Sequence, residues 1–72
     1  DAIVWAIKRL HVRLGKKSLD LIIKISEYDV NKADKYRRKM YEFPRDSLNG
    51  GLMLLKFIEE LEEELLMFTL PF

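Results

Sequence analysis

The chain has 72 residues and no cysteine, so it has room for one small domain and lacks the means for disulfide bonds or thiolate metal sites. Its longest uncharged apolar stretches, such as residues 65–72, are too short to cross a bilayer, and no signal peptide is visible. We therefore expect a soluble, intracellular protein located in the cytoplasm. Because the sequence begins with Asp1 and not Met, we also expect an excised domain or a processed product.

Charge is sorted along the chain. Residues 1–50 carry twelve Lys or Arg and seven Asp or Glu, a net charge of +5, whereas residues 51–72 carry one Lys and five Glu, a net charge of −4. This segregation predicts that the acidic run at 59–64 packs beside basic residues of the earlier segments, which hold its helix in orientation.

Apolar residues make up 49% of the chain, and only three of them are Ala. A single small core has limited room for so many bulky side chains. Apolar surface left outside a core is typical of interaction sites, so we expect part of it to face a second copy or another protein.

The first segment, residues 2–14, has the three- and four-residue spacing of an amphipathic helix, which Gly15 would end as a C-cap glycine. The stripe consists of Ile3, Ile7, Leu10 and Leu14. A second interpretation stays open, because apolar and polar residues alternate in 10–14 and in most of 19–25, as in a β-hairpin.

The middle segment, residues 18–43, has two interpretations: one long helix with Ser18 as its N-cap, or a helix with a break or kink near 29–31, where helix propensity is poor and Asn31 offers an N-cap for a new start. Beyond the break, one stripe is regular: Ala33, Tyr36, Met40 and Phe43. Pro44 disfavours helical geometry at the preceding residue and so ends the helix.

Residues 44–51 predict a loop, and residues 52–68 have the most regular helical pattern of the chain. The stripe expected to face the core consists of Leu54, Ile58, Leu61, Leu65 and Phe68, flanked by Leu55, Phe57 and Leu66.

We therefore predict an all-α fold, a small three-helix module over residues 1–72 with helices at about 2–14, 18–43 and 52–68. The alternative is an α+β fold in which a hairpin at about 9–25 packs on two helices.

No residue pattern points to catalysis. His11 is the only histidine, no serine stands in a G-x-S-x-G turn, and Gly15 is not preceded by the upstream glycine of a phosphate loop. The acidic run at 59–64 has no accompanying histidine for a metal. We expect no catalytic residue, no cofactor and no metal ligand.

Two functions remain. The first is a helical protein-interaction or oligomerisation module that forms a homodimer or binds another protein. Its expected contact residues are Leu55, Leu66, Met67, Leu70 and Phe72. The alternative is nucleic-acid binding through the basic segment 32–45, whose cations would contact the phosphate backbone. The residues expected to do so are Lys32, Lys35, Arg37, Arg38 and Lys39.

Overall fold

A computed structural model describes residues 2–45 and 47–70, which form three α-helices: α1 (Ala2–Ser26), α2 (Val30–Tyr41) and α3 (Leu48–Thr69). α1 packs along both other helices. Near its middle α1 meets the start of α3, and beyond its end Tyr28 stacks on Phe68 of α3, so these two helices run in the same direction. α2 runs back the opposite way. The predicted all-α three-helix module is confirmed, and the described residues contain no strand, so the hairpin at 9–25 is wrong.

α1 continues through Gly15, where the sequence predicted its end. An internal glycine costs a helix about 1 kcal/mol, which is less than the packing gained by extending the apolar face through Ile22 and Ile25. Ser18 is not an N-cap. Its side chain is fully buried, and its hydroxyl donates to the Leu14 carbonyl oxygen at 2.8 Å. The apolar residues at 10–14 and 19–25, whose alternation suggested a hairpin, belong to this helix and lie on two of its sides.

Of the two interpretations of the middle segment, the broken helix is confirmed, and the break lies between α1 and α2. The backbone N–H groups of Tyr28 and Asp29 both donate to the Ile25 carbonyl oxygen, which closes the end of α1. Asp29 then caps α2, because its carboxylate accepts from the Lys32 backbone N–H at 3.1 Å. Asp29 therefore takes the role for which the sequence also offered Asn31.

α3 begins at Leu48, four residues before the predicted position, because Ser47 acts as its N-cap and accepts from the Gly50 N–H at 3.0 Å. A Cβ on Gly50 would lie 2.1 Å from the Pro44 carbonyl oxygen and 2.9 Å from the His11 ring. Only glycine allows this approach. The His11 Nε2–H also donates to the Ser47 carbonyl oxygen at 2.6 Å, so α1, the loop and α3 are joined here.

The core lies along the middle of the three helices and is built mainly from α1 and α3. Its buried apolar members are Leu14, Ile22, Ile25, Ala33, Leu54, Phe57, Ile58 and Leu61. Phe57 fills the centre, with the rings of Tyr36 and Phe43 at centroid distances of 5.9 Å and 5.3 Å. The predicted core stripe of α3 is confirmed, whereas Phe57 was expected only beside it.

The first turns of α1 project beyond the other two helices, and the molecule measures 49 × 20 × 15 Å. α3 begins level with Leu10 and His11, so the turns of α1 that precede Lys8 extend past the start of α3. Of the predicted first stripe only Leu14 is buried, while Val4 and Trp5 are exposed.

Candidate interaction surfaces

The acidic run of α3 is largely matched by cations of the earlier helices, as the charge segregation predicted. Three ion pairs cross between helices: Glu62 with Lys17 at 3.9 Å, Glu60 with Lys39 at 3.1 Å, and Glu64 with Lys32. Most of these side chains are about half exposed, and such pairs contribute roughly 0–1 kcal/mol each. They orient α3 more than they stabilise it.

Glu64 is the most enclosed of these carboxylates, with 21% of its side chain exposed. Its hydrogen bond with Lys32 raises the pKa of that ammonium group above 10.5. The Tyr36 O–H donates to the same carboxylate at 3.5 Å. Burial, reinforced by the negative charge of Glu64, raises the pKa of the Tyr36 phenol above 10.0. One carboxylate thus links α2 to α3 through two partners.

The five α2 cations expected at a nucleic-acid surface fall into two groups. Lys32 and Lys39 are directed at glutamates of α3, and Arg37 pairs with Asp34 at 3.6 Å on its own helix. Lys35 and Arg38 form no ion pair within the described ranges 2–45 and 47–70. A continuous row of free cations is therefore not presented by α2.

A row of leucines lies outside the core on α3 and is referred to below as the α3 stripe. Its positions, 48, 52, 55, 59, 62 and 66, alternate in steps of four and three, which keeps them on one side of a helix. Its apolar members are Leu48, Leu52, Leu55 and Leu66, which are 60%, 53%, 45% and 57% exposed. Glu59 and Glu62 occupy its fourth and fifth positions, between Leu55 and Leu66.

The five residues predicted at a partner seam are not all on this stripe. Leu55 and Leu66 belong to it, and Leu70 follows at the C-cap of α3. Met67 follows Leu66 by one position and therefore lies about 100° around the helix from the α3 stripe. By the same spacing it is on the side of α3 that carries Met53. Phe72 lies outside the described residues.

The sequence prediction missed Leu48 and Leu52, because the Asn-Gly-Gly run after Leu48 is typical of a loop. The signal that identifies them is the four–three spacing, which extends back from Leu55 without interruption through both glycines.

The edge of α1 that borders the α3 stripe is basic. Lys17 reaches Glu62, and the Leu10 side chain lies 3.5 Å from where a Cβ on Gly51 would stand, so this edge adjoins α3. Arg13, Asp20 and Lys24 share it by helical spacing, so the edge carries three cations and one carboxylate. We call the exposed residues of the two helices the α1–α3 face: Leu10, Arg13, Lys17, Asp20 and Lys24 from α1, and Leu48, Leu52, Leu55, Glu59, Glu62 and Leu66 from α3.

No protein family model, curated protein or solved structure matches this chain. Among the described residues, no helix is both long and apolar enough to cross a bilayer. No three His, Asp or Glu side chains in that part of the chain are grouped to hold a metal ion. The α1–α3 face combines the exposed Leu48, Leu52, Leu55 and Leu66 with charged residues of both helices.

Proposed function

We propose that the chain is a helical protein-interaction module that acts by binding, not by catalysis, and that it forms a homodimer through the α1–α3 face. The observation that carries this proposal is the α3 stripe, whose four leucines are each about half exposed. Leaving a large apolar side chain in water forgoes about 1.5–3 kcal/mol of burial. An exposed row of this length is typical of an interface.

The charges favour one arrangement of the two copies. If two α3 stripes faced each other in parallel, Glu59 and Glu62 would meet their own counterparts, and like charges there oppose association. If the stripes ran antiparallel, the two glutamates would lie against Leu55 and Leu52, and burying unpaired carboxylates opposes association as well. If α3 of one copy lies on α1 of the other, the same glutamates meet an edge on which three cations, Arg13, Lys17 and Lys24, outnumber one carboxylate, Asp20. A two-fold axis parallel to the helices produces this pairing twice.

The face is large enough for a stable dimer. α3 has 22 residues, which at 1.5 Å per residue makes the face about 33 Å long. The molecule is 20 Å wide at right angles to its long axis. The resulting rectangle is roughly 650 Å² per copy, and the corresponding upper limit for two copies, about 1,300 Å², lies at the lower end of the range of specific interfaces.

Nucleic-acid binding by α2 has less support, since two of its five expected cations are paired with α3. The same solution experiment tests both functions. Sedimentation equilibrium across a concentration series, with and without added DNA or RNA, should give a dimer mass that nucleic acid leaves unchanged. A monomer mass at high micromolar concentration contradicts the homodimer, and open-ended aggregation points to a missing partner protein.

Charge reversal tests the pairing of α1 with α3. Glu59→Lys and Lys17→Glu should each weaken the homodimer about tenfold, because each change places like charges at two symmetric positions. A mixture of the two variants should restore part of the dimerisation, since both contacts between positions 17 and 59 in the mixed dimer join opposite charges. Lys35→Glu, on α2 outside the face, is the matched control. A dimer built on two α3 stripes would be indifferent to Lys17→Glu.

A further inference from the structure

A second surface lies on the other side of α1, in a groove between that helix and the segment that joins α2 to α3. Its volume is about 520 Å³, within the range of sites that hold a few side chains. Val12, on its wall, is about 200° around α1 from Leu10, so the groove is separate from the α1–α3 face. The residues that dominate its lining are Val12, Met40, Tyr41, Phe43, Pro44 and Leu54.

The charged residues that the structure describes in the lining of this groove are both cations. They are Lys8 and Arg45, and no described Asp or Glu lines it. Neither cation forms an ion pair with any residue of 2–45 or 47–70. This contrasts with the cations of α2 that face α3, where glutamates are the partners. The groove combines an apolar lining with positive charge that the described residues leave uncompensated.

The walls are held in place before anything binds. Phe43 packs edge-on against the buried ring of Phe57, with an interplanar angle of 87°. Pro44 is fixed by its close approach to Gly50, and His11 is fixed by its hydrogen bond to the Ser47 carbonyl oxygen. A preformed site avoids the entropic cost of ordering its walls during binding.

We propose that this groove binds a segment of a partner protein in which Leu, Ile or Phe side chains stand beside Asp or Glu. The apolar side chains occupy the lining formed by Val12, Met40 and Tyr41, and the carboxylates pair with Lys8 and Arg45. Complementary charge of this kind speeds association and selects the partner. A nucleic acid fits less well, because backbone recognition requires a row of cations along a groove and this one has two.

Selection of a displayed library of random 12-residue peptides on the unmodified chain tests the proposal. Enriched peptides should combine large apolar residues with Asp or Glu. No enrichment, or enrichment of Lys- and Arg-rich peptides, overturns it. Tight binding of a 12-nucleotide oligothymidine that displaces the selected peptide overturns it as well, in favour of a nucleic-acid site.

The best peptide is then synthesised and titrated by fluorescence anisotropy. The double variant Lys8→Glu/Arg45→Glu should bind it about tenfold more weakly. The matched control Lys16→Glu/Lys35→Glu, outside both the groove and the α1–α3 face, should bind normally. A peptide with Lys in place of its acidic residues should bind the groove variant better than the unmodified chain, which a merely unfolded variant cannot do. Equal losses in both double variants would falsify the site.

The homodimer proposal and the groove proposal can be contradicted independently of each other. Lys17→Glu should disrupt the dimer and leave peptide affinity unchanged, and Lys8→Glu/Arg45→Glu should do the reverse. Loss of peptide binding in Lys17→Glu would place the peptide on the α1–α3 face and overturn the groove as its site.

Discussion

The two ends of α1 carry similar apolar residues, but those at the C-terminal end are buried and those at the N-terminal end are exposed. Ile22 and Ile25, near its C-terminal end, are fully buried between α2 and α3. Val4 and Trp5, near its N-terminal end, are 49% and 61% exposed because the other helices begin or end before reaching them. Apolar periodicity therefore predicts which side of a helix is suited to burial, but the lengths of the neighbouring helices decide how much of that side is buried.

The largest expected effect is obtained by truncating the buried end. Ile22→Ala should lower the free energy of unfolding by about 2–5 kcal/mol, because it leaves a cavity among residues that cannot fully collapse. Val4→Ala, at the projecting end of the same helix, should change that free energy by about 0.5 kcal/mol or less. Urea denaturation measures both. Similar losses in the two variants would show that the projecting end is packed in solution.

Two glycines provide a second contrast, between the junction of the helices and the open side of α1. Gly50→Ala should destabilise the protein by about 1–3 kcal/mol, since its Cβ would stand 2.1 Å from a backbone oxygen that cannot rotate away. Gly15→Ala should stabilise it by about 0.5–1 kcal/mol, because no atom lies within 4 Å and alanine favours the helix. The melting temperature should fall for Gly50→Ala and rise for Gly15→Ala. A shift in the same direction for both variants would contradict the close contact between Pro44 and Gly50.

The link between α2 and α3 should weaken in alkali. Lys32 and Tyr36 both have pKa values raised in the folded state, so the stability they contribute is complete below about pH 10 and is lost as the pH rises further. Glu64→Gln should reduce this alkaline loss by removing the partner of Lys32. Unfolding free energies between pH 8 and pH 11 measure it, with Glu59→Gln as control. An identical decline in the unmodified chain and the Glu64 variant would exclude this role for Glu64.

The smallest effect should come from the exposed ion pairs. Glu60→Lys should lower the melting temperature slightly at low salt, because it replaces a pair with Lys39 by a repulsion, and salt should screen the difference. Glu63, which forms no ion pair within the described residues, provides the comparison. Glu63→Lys should have little effect at any ionic strength. A salt-independent loss for Glu60→Lys would point to packing in place of charge.

Much of the fold could be predicted from the sequence where local and tertiary preferences agree. In α3 the stripe from Leu54 to Phe68 is both helical and core-facing, and the prediction was correct. At Gly15 and Ser18 the local capping signals were strong, but the packing of a continuous α1 outweighed them. The sequence assigned Gly50 to a loop, whereas the structure requires glycine inside α3 because the Pro44 carbonyl oxygen leaves no room for a Cβ. That contact exists only in the folded chain.

The candidate surfaces were predictable only in part, for a related reason. The sequence marked Leu55 and Leu66 as apolar residues beside the core stripe, and the structure leaves both exposed. It could not show that α1 places Lys17 beside Glu62, or that Lys8 and Arg45 meet at one groove. Such neighbours are set by how the helices cross, which periodicity along one helix does not encode.

The position of Trp5 has a spectroscopic consequence. It is the only tryptophan of the chain, it lies on the projecting turns of α1, and the Arg9 guanidinium sits 4.8 Å from the centre of its ring. Because the indole is largely hydrated in the folded protein, its emission should change little on unfolding and should respond to a molecule that covers this end. Intrinsic fluorescence therefore reports occupancy of the projecting turns, while circular dichroism reports the fold.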